Sequence, residues 1–164
     1  MTVIGQEYLK EEYSEFDDGK AIQPCGIDLR VGKIYNYIPN GMNGLYEGQK
    51  FLPDLEELKI DGKTYMLAPK TSYLISVDRQ MKIPRNQMQL YLPRSSLLRG
   101  GVDVRTAVGD CGYEGTLMFL IENKLDAPFY LEKGERFCQA ICFEVSGSGI
   151  YNGDYQNDKH MEDK

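Results

Sequence analysis

The sequence predicts a mainly β domain, a sandwich or barrel with only short helices. Short strand-length stretches recur near residues 64–68, 73–78, 87–92, 102–108, 115–123, 128–132 and 137–145. Polar or glycine breaks separate them, the spacing of strands joined by turns. Helical patterns are few, and the clearest is one short N-terminal segment. At 164 residues the chain is one domain long, with room for a real core. It carries no internal repeat.

Residues 4–16 set Tyr8, Leu9, Tyr13 and Phe16 near helical spacing, which predicts a short amphipathic helix ended by Asp17-Asp18-Gly19. From Gly26 onward Ile27, Leu29 and Val31 alternate with Asp28 and Arg30, the pattern of a half-buried strand. Residues 36–63 hold Pro39-Asn40-Gly41, Asn43-Gly44, Gly48, Pro53 and Asp61-Gly62. Hairpins and an exposed excursion are expected there. In the last strand, alternation puts Phe137, Gln139 and Ile141 on one face and Cys138, Ala140 and Cys142 on the other. Gln139 among apolar neighbours then suits a polar contact in a pocket. Residues 1–145 read as one domain, and 146–164, glycine-rich and then charged, as a flexible C-terminal arm. Tyr151 and Tyr155 are uncommon residues for a solvated tail, and they open a second reading, an arm that orders over a ligand.

Charge and composition exclude several functions. A net charge of −6 argues against a nucleic-acid polymer as partner, since that needs a basic face. A small phosphorylated ligand stays possible. No apolar run approaches the roughly 20 residues of a membrane span, and residues 1–7 lack the blocks of a secretory signal. A cytoplasmic protein is expected. Cys25, Cys111, Cys138 and Cys142 form no Cys-x-x-Cys pair, and the one histidine, His160, lies in the tail. That disfavours zinc and a Ser-His-Asp hydrolase. The zinc deaminase signature is absent.

The chemistry concentrates in residues 94–123. Arg94-Ser95-Ser96 and Arg99 follow Pro93 and precede Gly100-Gly101. Arginine forks and hydroxyls suit phosphate oxygens, and a helical turn here would aim free amides at an anion. The plain alternative is a serine N-cap with solvated arginines. Asp110 stands between Gly109 and Cys111-Gly112, with Tyr113 behind. A carboxylate in a tight turn suits water activation, though aspartate also simply forms such turns.

As an ordered set these motifs are more specific. Residues 26–32 (Gly-Ile-Asp-Leu-Arg-Val-Gly), 94–99 (Arg-Ser-Ser-Leu-Leu-Arg), Gly101-Val102-Asp103-Val104 with 108–115, and 134–139 (Gly-Glu-Arg-Phe-Cys-Gln) resemble the dUTPase / dCTP deaminase superfamily. The resemblance covers about residues 20–145 and implies a distorted β-barrel or jelly-roll, a dUTPase-like β-clip. It implies a homotrimer with sites at subunit interfaces, acting on a pyrimidine deoxynucleoside triphosphate. Carried over, Asp110 is the base, Tyr113 the sugar platform, and Ala107, Val108 and Gly109 line the uracil. Arg94, Ser95, Ser96, Arg99 and Gln139 hold phosphates, and Asp28 reaches Mg2+ through water. Tyr151 and Tyr155 resemble part of a deaminase-type arm.

Two branches remain open. The segment 22–32 and Arg99 look like the deaminase branch, whereas the Asp110 turn looks like the dUTPase branch. Deaminases carry a glutamate where an ungapped count places Leu120. Glu122 lies two residues on, about 7 Å along a strand, beyond proton-transfer reach unless the register shifts. Gly109 also stands where the family usually has an apolar residue. Hydrolysis of dUTP to dUMP and pyrophosphate is therefore expected first. The alternatives are zinc-independent dCTP deamination, a bifunctional deaminase/dUTPase, and a non-catalytic nucleotide-binding regulator.

Overall fold

The computed structural model describes residues 2–147 and 149–158; His160 lies outside them. Helix α1, Gln6–Glu12, passes into a 3-10 turn at Ser14–Phe16. Leu9, Tyr13 and Phe16 recur at i, i+4 and i+7 and are buried, while Tyr8, one step round the helix, is exposed.

The main sheet contains β1 Gly26–Ile38, β2 Asp54–Glu57, β3 Ser72–Val77, β4 Gln87–Pro93, β5 Val102–Arg105, β6 Val108–Gly109, β7 Met118–Asn123 and β8 Arg136–Glu144. Their order is β5-β7-β3-β1-β8-β4-β6, with β2 and the short strand Ile22–Gln23 also pairing β1. Every pairing in it is antiparallel.

Strand β1 is long enough to serve four partners: Ile22–Gln23 through residues 26–27, β8 through 27–30, β3 through 31–35 and β2 through 35–38. Its register slips between Val31 and Ile34, at Gly32. A Cβ at Gly32 would stand 2.6 Å from the Val77 carbonyl oxygen, so glycine permits the close approach at this bulge.

The sheet curls into a half-barrel. Strands β5 and β6 occupy opposite ends of the strand order, yet only Thr106 and Ala107 separate them. Three Cα steps reach at most about 11 Å, so the two edges must come close together. The expected single strand 102–108 is thereby two short strands on opposite edges.

Ile27, Leu29, Ile34, Ile75, Ile121 and Phe137 fill the interior. Cys138 and Cys142 lie there as free thiols, and burial pushes them up to about 12 and about 11, so they remain protonated. One expectation fails at β8. Arg136 pairs with Arg30 and Cys138 with Leu29, leaving Phe137 as an extra residue in a bulge. Phe137 and Cys138 are both fully buried, so Phe137 does not share the face of Gln139.

The excursion after β1 carries the hairpin Gly44–Tyr46 and Gln49–Phe51. Glu47 and Gly48 both have positive φ at its turn, as a type I′ turn requires. No helix among the described residues is long and apolar enough to cross a membrane.

Candidate active site

The hairpin after β5 is shaped by backbone bonds. The Thr106 hydroxyl donates to the Tyr91 carbonyl at 2.8 Å, and β6 pairs Val108 with Leu90 and Gly109 with Gln89. The Tyr113 amide then donates to the Asp110 carbonyl at 3.1 Å. Gly112, with φ of 75°, takes the third position of this four-residue turn, a conformation favouring glycine. Ile83 braces it from outside: its amide donates to Tyr113 and its carbonyl accepts from Gly112.

Because main-chain groups close the turn, Asp110 is not needed as its side-chain cap. Among the described residues nothing hydrogen-bonds or ion-pairs with its carboxylate, which is exposed. Asp110 lines a cavity of about 850 Å3 together with Ala107, Val108, Gly109, Tyr113, Tyr151 and Tyr155. All seven of these residues, selected from sequence, thus converge on one space. Tyr113 is mostly buried, its hydroxyl donating to the Thr116 carbonyl at 3.2 Å. Burial, then nearby Asp158 and Tyr151, push its phenol up to about 12. The ring is a neutral, fixed platform.

The described part of the arm docks here. Tyr151 donates its amide to the Cys111 carbonyl at 2.8 Å and meets the Tyr113 ring edge-on at 5.4 Å. Gln156 binds the Gly112 carbonyl and the Glu114 amide. Asp158 accepts from the amide and hydroxyl of Thr116. Lys50, from the excursion hairpin, pairs with Asp154 at 2.5 Å and lies 5.0 Å above the Tyr155 ring.

The remaining predicted residues form a second group away from this cavity. Gln139 faces Asp28 across the β8–β1 pairing and Leu92 across β8–β4. Asp28 is 4% exposed, and its Oδ2 accepts from Arg136 Nη1 at 3.0 Å and lies 3.5 Å from Arg94 Nε. Burial raises its pKa, while Arg94 and Arg136 draw it back down. Helix α2, Ser95–Arg99, has Arg94 rather than a serine as its N-cap, without a side-chain cap bond. Ser95, Ser96 and Arg99 are all exposed on it. Arg94 Nη1 also lies 3.6 Å from Glu135 Oε1, so the two guanidiniums face two carboxylates, buried Asp28 and exposed Glu135. Among the described residues no three carboxylate, cysteine or histidine groups converge as a metal cage. The donor set fits a cation held by phosphate oxygens and reached through water, not one caged by protein.

The two groups are separated along β4. Gly109 stands opposite Gln89, and five residues of strand from there to Arg94 span about 17 Å. Glu122 belongs to neither group. It shares its face of β7 with Leu120, as the two-residue spacing predicts, and its carboxylate binds Lys124 at 2.6 Å and approaches Arg105 at 3.6 Å.

Sequence reading missed Tyr35, Tyr37, Lys50 and Tyr91, which also line the cavity. It also left Arg136, the partner of Asp28, without a role. Arg136 sits inside the 134–139 motif and could have been found there. The others reach the cavity only through pairings distant in sequence.

A curled antiparallel half-barrel, with a turn carrying a free carboxylate beside a large cavity, defines a dUTPase-like class of β protein. The chain belongs to the dCTP deaminase-like family, whose profile matches residues 5–145. A Methanothermobacter thermautotrophicus protein named "Probable deoxyuridine 5'-triphosphate nucleotidohydrolase" is 47% identical over 154 residues, covering 94% of this chain and 99% of that one. Solved structures share the fold. The 2'-deoxycytidine 5'-triphosphate deaminase of Agrobacterium tumefaciens superposes with a TM-score of 0.66 at 16% identity, over 85% of this chain and 48% of that one. This chain thus spans about half the length of that deaminase. The dUTPase of Staphylococcus bacteriophage 80alpha gives 0.51 at 17% identity, over 80% and 77%.

Proposed function

We propose that the protein hydrolyses dUTP to dUMP and pyrophosphate. The Asp110 carboxylate carries this reading: it lies on the cavity, open to solvent, in a turn that closes without it. In the proposed reaction Asp110 accepts a proton from a water that attacks the α-phosphorus in line, and pyrophosphate leaves from the opposite side. Residues 107–109 offer main-chain groups to the uracil edge, and the neutral Tyr113 ring packs on the deoxyribose. Tyr151 and Tyr155 cover the nucleotide. The name carried by the 47% identical archaeal relative supports the same substrate.

The phosphate-binding role falls to Arg94, Ser95, Ser96, Arg99 and Gln139. None of these five residues lines the cavity that holds Asp110, and in the proposed homotrimer a neighbouring copy would supply this half. Exposed Leu90, Leu92 and Val108 beside the two-residue edge strand β6 give such a copy an apolar surface to cover. Magnesium, when bound on the triphosphate, takes up charge on its phosphate oxygens. Asp28 would meet it only through water and otherwise fixes Arg94 and Arg136.

Deamination of dCTP is the weaker reading. Leu120 is apolar, and Glu122 is committed to Lys124 and Arg105. The deciding assay offers dUTP and dCTP with magnesium and separates pyrophosphate, inorganic phosphate and ammonia. Pyrophosphate from dUTP, lowered by about 10³-fold or more in Asp110→Asn, is the expected result. Ammonia from dCTP would favour the deaminase reading, and full turnover of dUTP in Asp110→Asn would remove Asp110 as the base.

A further inference from the structure

Gly109 stands beside Asp110 on the cavity, and the space a side chain there would need is already occupied. A Cβ built on Gly109 would fall 2.2 Å from the Tyr91 hydroxyl oxygen and 2.7 Å from Ile83 Cδ1. Tyr91 is 3% exposed and also lines the cavity. It holds the hairpin twice. Its carbonyl accepts the Thr106 hydroxyl at 2.8 Å, fixing where the segment leaves β5, and its phenol lies under Gly109, three residues further on.

The phenol is itself fixed from behind by a buried chain of hydrogen bonds. The Tyr91 hydroxyl donates to Gln89 Oε1 at 2.9 Å, and Gln89 Nε2 donates to the Tyr13 hydroxyl oxygen at 3.1 Å. Tyr13 then donates to Gln87 Oε1 at 2.9 Å. All four side chains are buried, which makes an unpaired member costly and the geometry well determined. Burial keeps both phenols neutral, so each can donate.

We infer that Tyr91 is a positioning residue for the Asp110 hairpin, its phenol taking the place of the side chain that Gly109 lacks. It sets the height of residues 108–110 above the core, and with it the placement of the carboxylate. Tyr91 touches neither the reacting atoms nor the proton in flight. The role rests on the hydrolase reading for its kinetic consequence but not for its geometry. A displacement of about 1 Å at a reacting group costs on the order of 10²-fold in rate, so the contact is large enough to measure.

The test is a double-mutant cycle between positions 91 and 109. Gly109→Ala alone should lower kcat for dUTP by about tenfold or more, because the methyl collides with the phenol and lifts the hairpin. Tyr91→Leu alone should lower kcat by a smaller factor and raise hydrogen exchange at the Gly112 and Tyr113 amides, which are hydrogen-bonded in the turn. In the combined variant the methyl introduced at position 109 enters the space the phenol has left. Its kcat should then be at least about tenfold above the product of the two single effects, with exchange returning toward wild type.

Independent, multiplicative losses would overturn the proposal, as would a Gly109→Ala protein of wild-type kcat and exchange. Melting of each variant separates a displaced hairpin from general unfolding. If the wild-type protein released no pyrophosphate from dUTP, the functional reading would fail. The exchange arm would still decide the geometry: coupled protection supports the role of Tyr91, and additive protection removes it.

Discussion

Asn123 is fully buried, and its amide serves three carbonyls: Ala127 at 2.9 Å, Leu67 at 3.0 Å and Ala68 at 3.2 Å. Its own oxygen accepts the Leu125 amide. Asn123→Ala strands several buried groups at once and should cost about 3 kcal/mol, read from a urea transition. Asn123→Asp should be worse at neutral pH, because a carboxylate cannot donate to the carbonyls. One residue before it, Glu122 tests the rival chemistry. Glu122→Gln should leave pyrophosphate release within about twofold of wild type, since the side chain meets Lys124 and Arg105 away from the cavity. A tenfold loss, or loss of an ammonia signal from dCTP, would restore it to the mechanism. Individual residues were legible in sequence where a turn gathers them. Ala107, Val108, Gly109, Asp110 and Tyr113 come together at the cavity because one short segment bends back on itself at Gly112. Tyr91 was hidden because its meaning comes from Gly109 across β4–β6 pairing, and one chain's alternation cannot show what lies beneath a glycine.

Among the elements, the arm has the most to reveal. Its described residues carry Tyr151 and Tyr155 onto the cavity and are tied by Lys50 to Asp154. Deleting residues 148–164 should raise KM for dUTP by about tenfold, read from initial rates of pyrophosphate release. The Lys50 partner holds the Asp154 carboxyl below its ordinary value. A depressed carboxyl contributes its tie above the ordinary carboxylate range and loses it as pH falls through the lowered value. Proteolysis within 149–158 should therefore quicken at acid pH and at high salt, and Asp154→Asn should be cleaved faster than wild type at neutral pH but not at acid pH. Equal cleavage of wild type and variant at neutral pH would count against the tie. The strands were the most readable elements, since the apolar stretches matched the alternation and turn signals that strands require. Sequence failed where pairing departs from regularity. The bulge at Phe137 turns that ring inward against its period, and Met81–Lys82 paired with Glu114–Gly115 is too short to show any period.

At the scale of the whole molecule, the site residues fall into two groups, and none of the phosphate-binding candidates lines the cavity that holds Asp110. The cavity has Asp110, Tyr113 and the arm; the other group has Arg94, Arg136, Gln139 and Asp28. Neither is sufficient for the proposed reaction, because a base without phosphate ligands cannot align an in-line attack. In the proposed homotrimer each copy would lend its phosphate group to the neighbour's cavity. Asp110→Asn and Arg94→Ala should then each be inactive alone but complement one another. If the copies are mixed one to one and exchange freely, about a quarter of the sites combine a wild-type cavity with a wild-type phosphate group, whatever the ring size. Activity near a quarter of wild type is expected from co-expressed variants, with a solution mass of three chains. Were both halves supplied by one chain, no site in the mixture could be repaired except in oligomers that keep a wild-type copy, and this mixture contains none. A silent mixture with intact oligomers would place the whole site within a single chain.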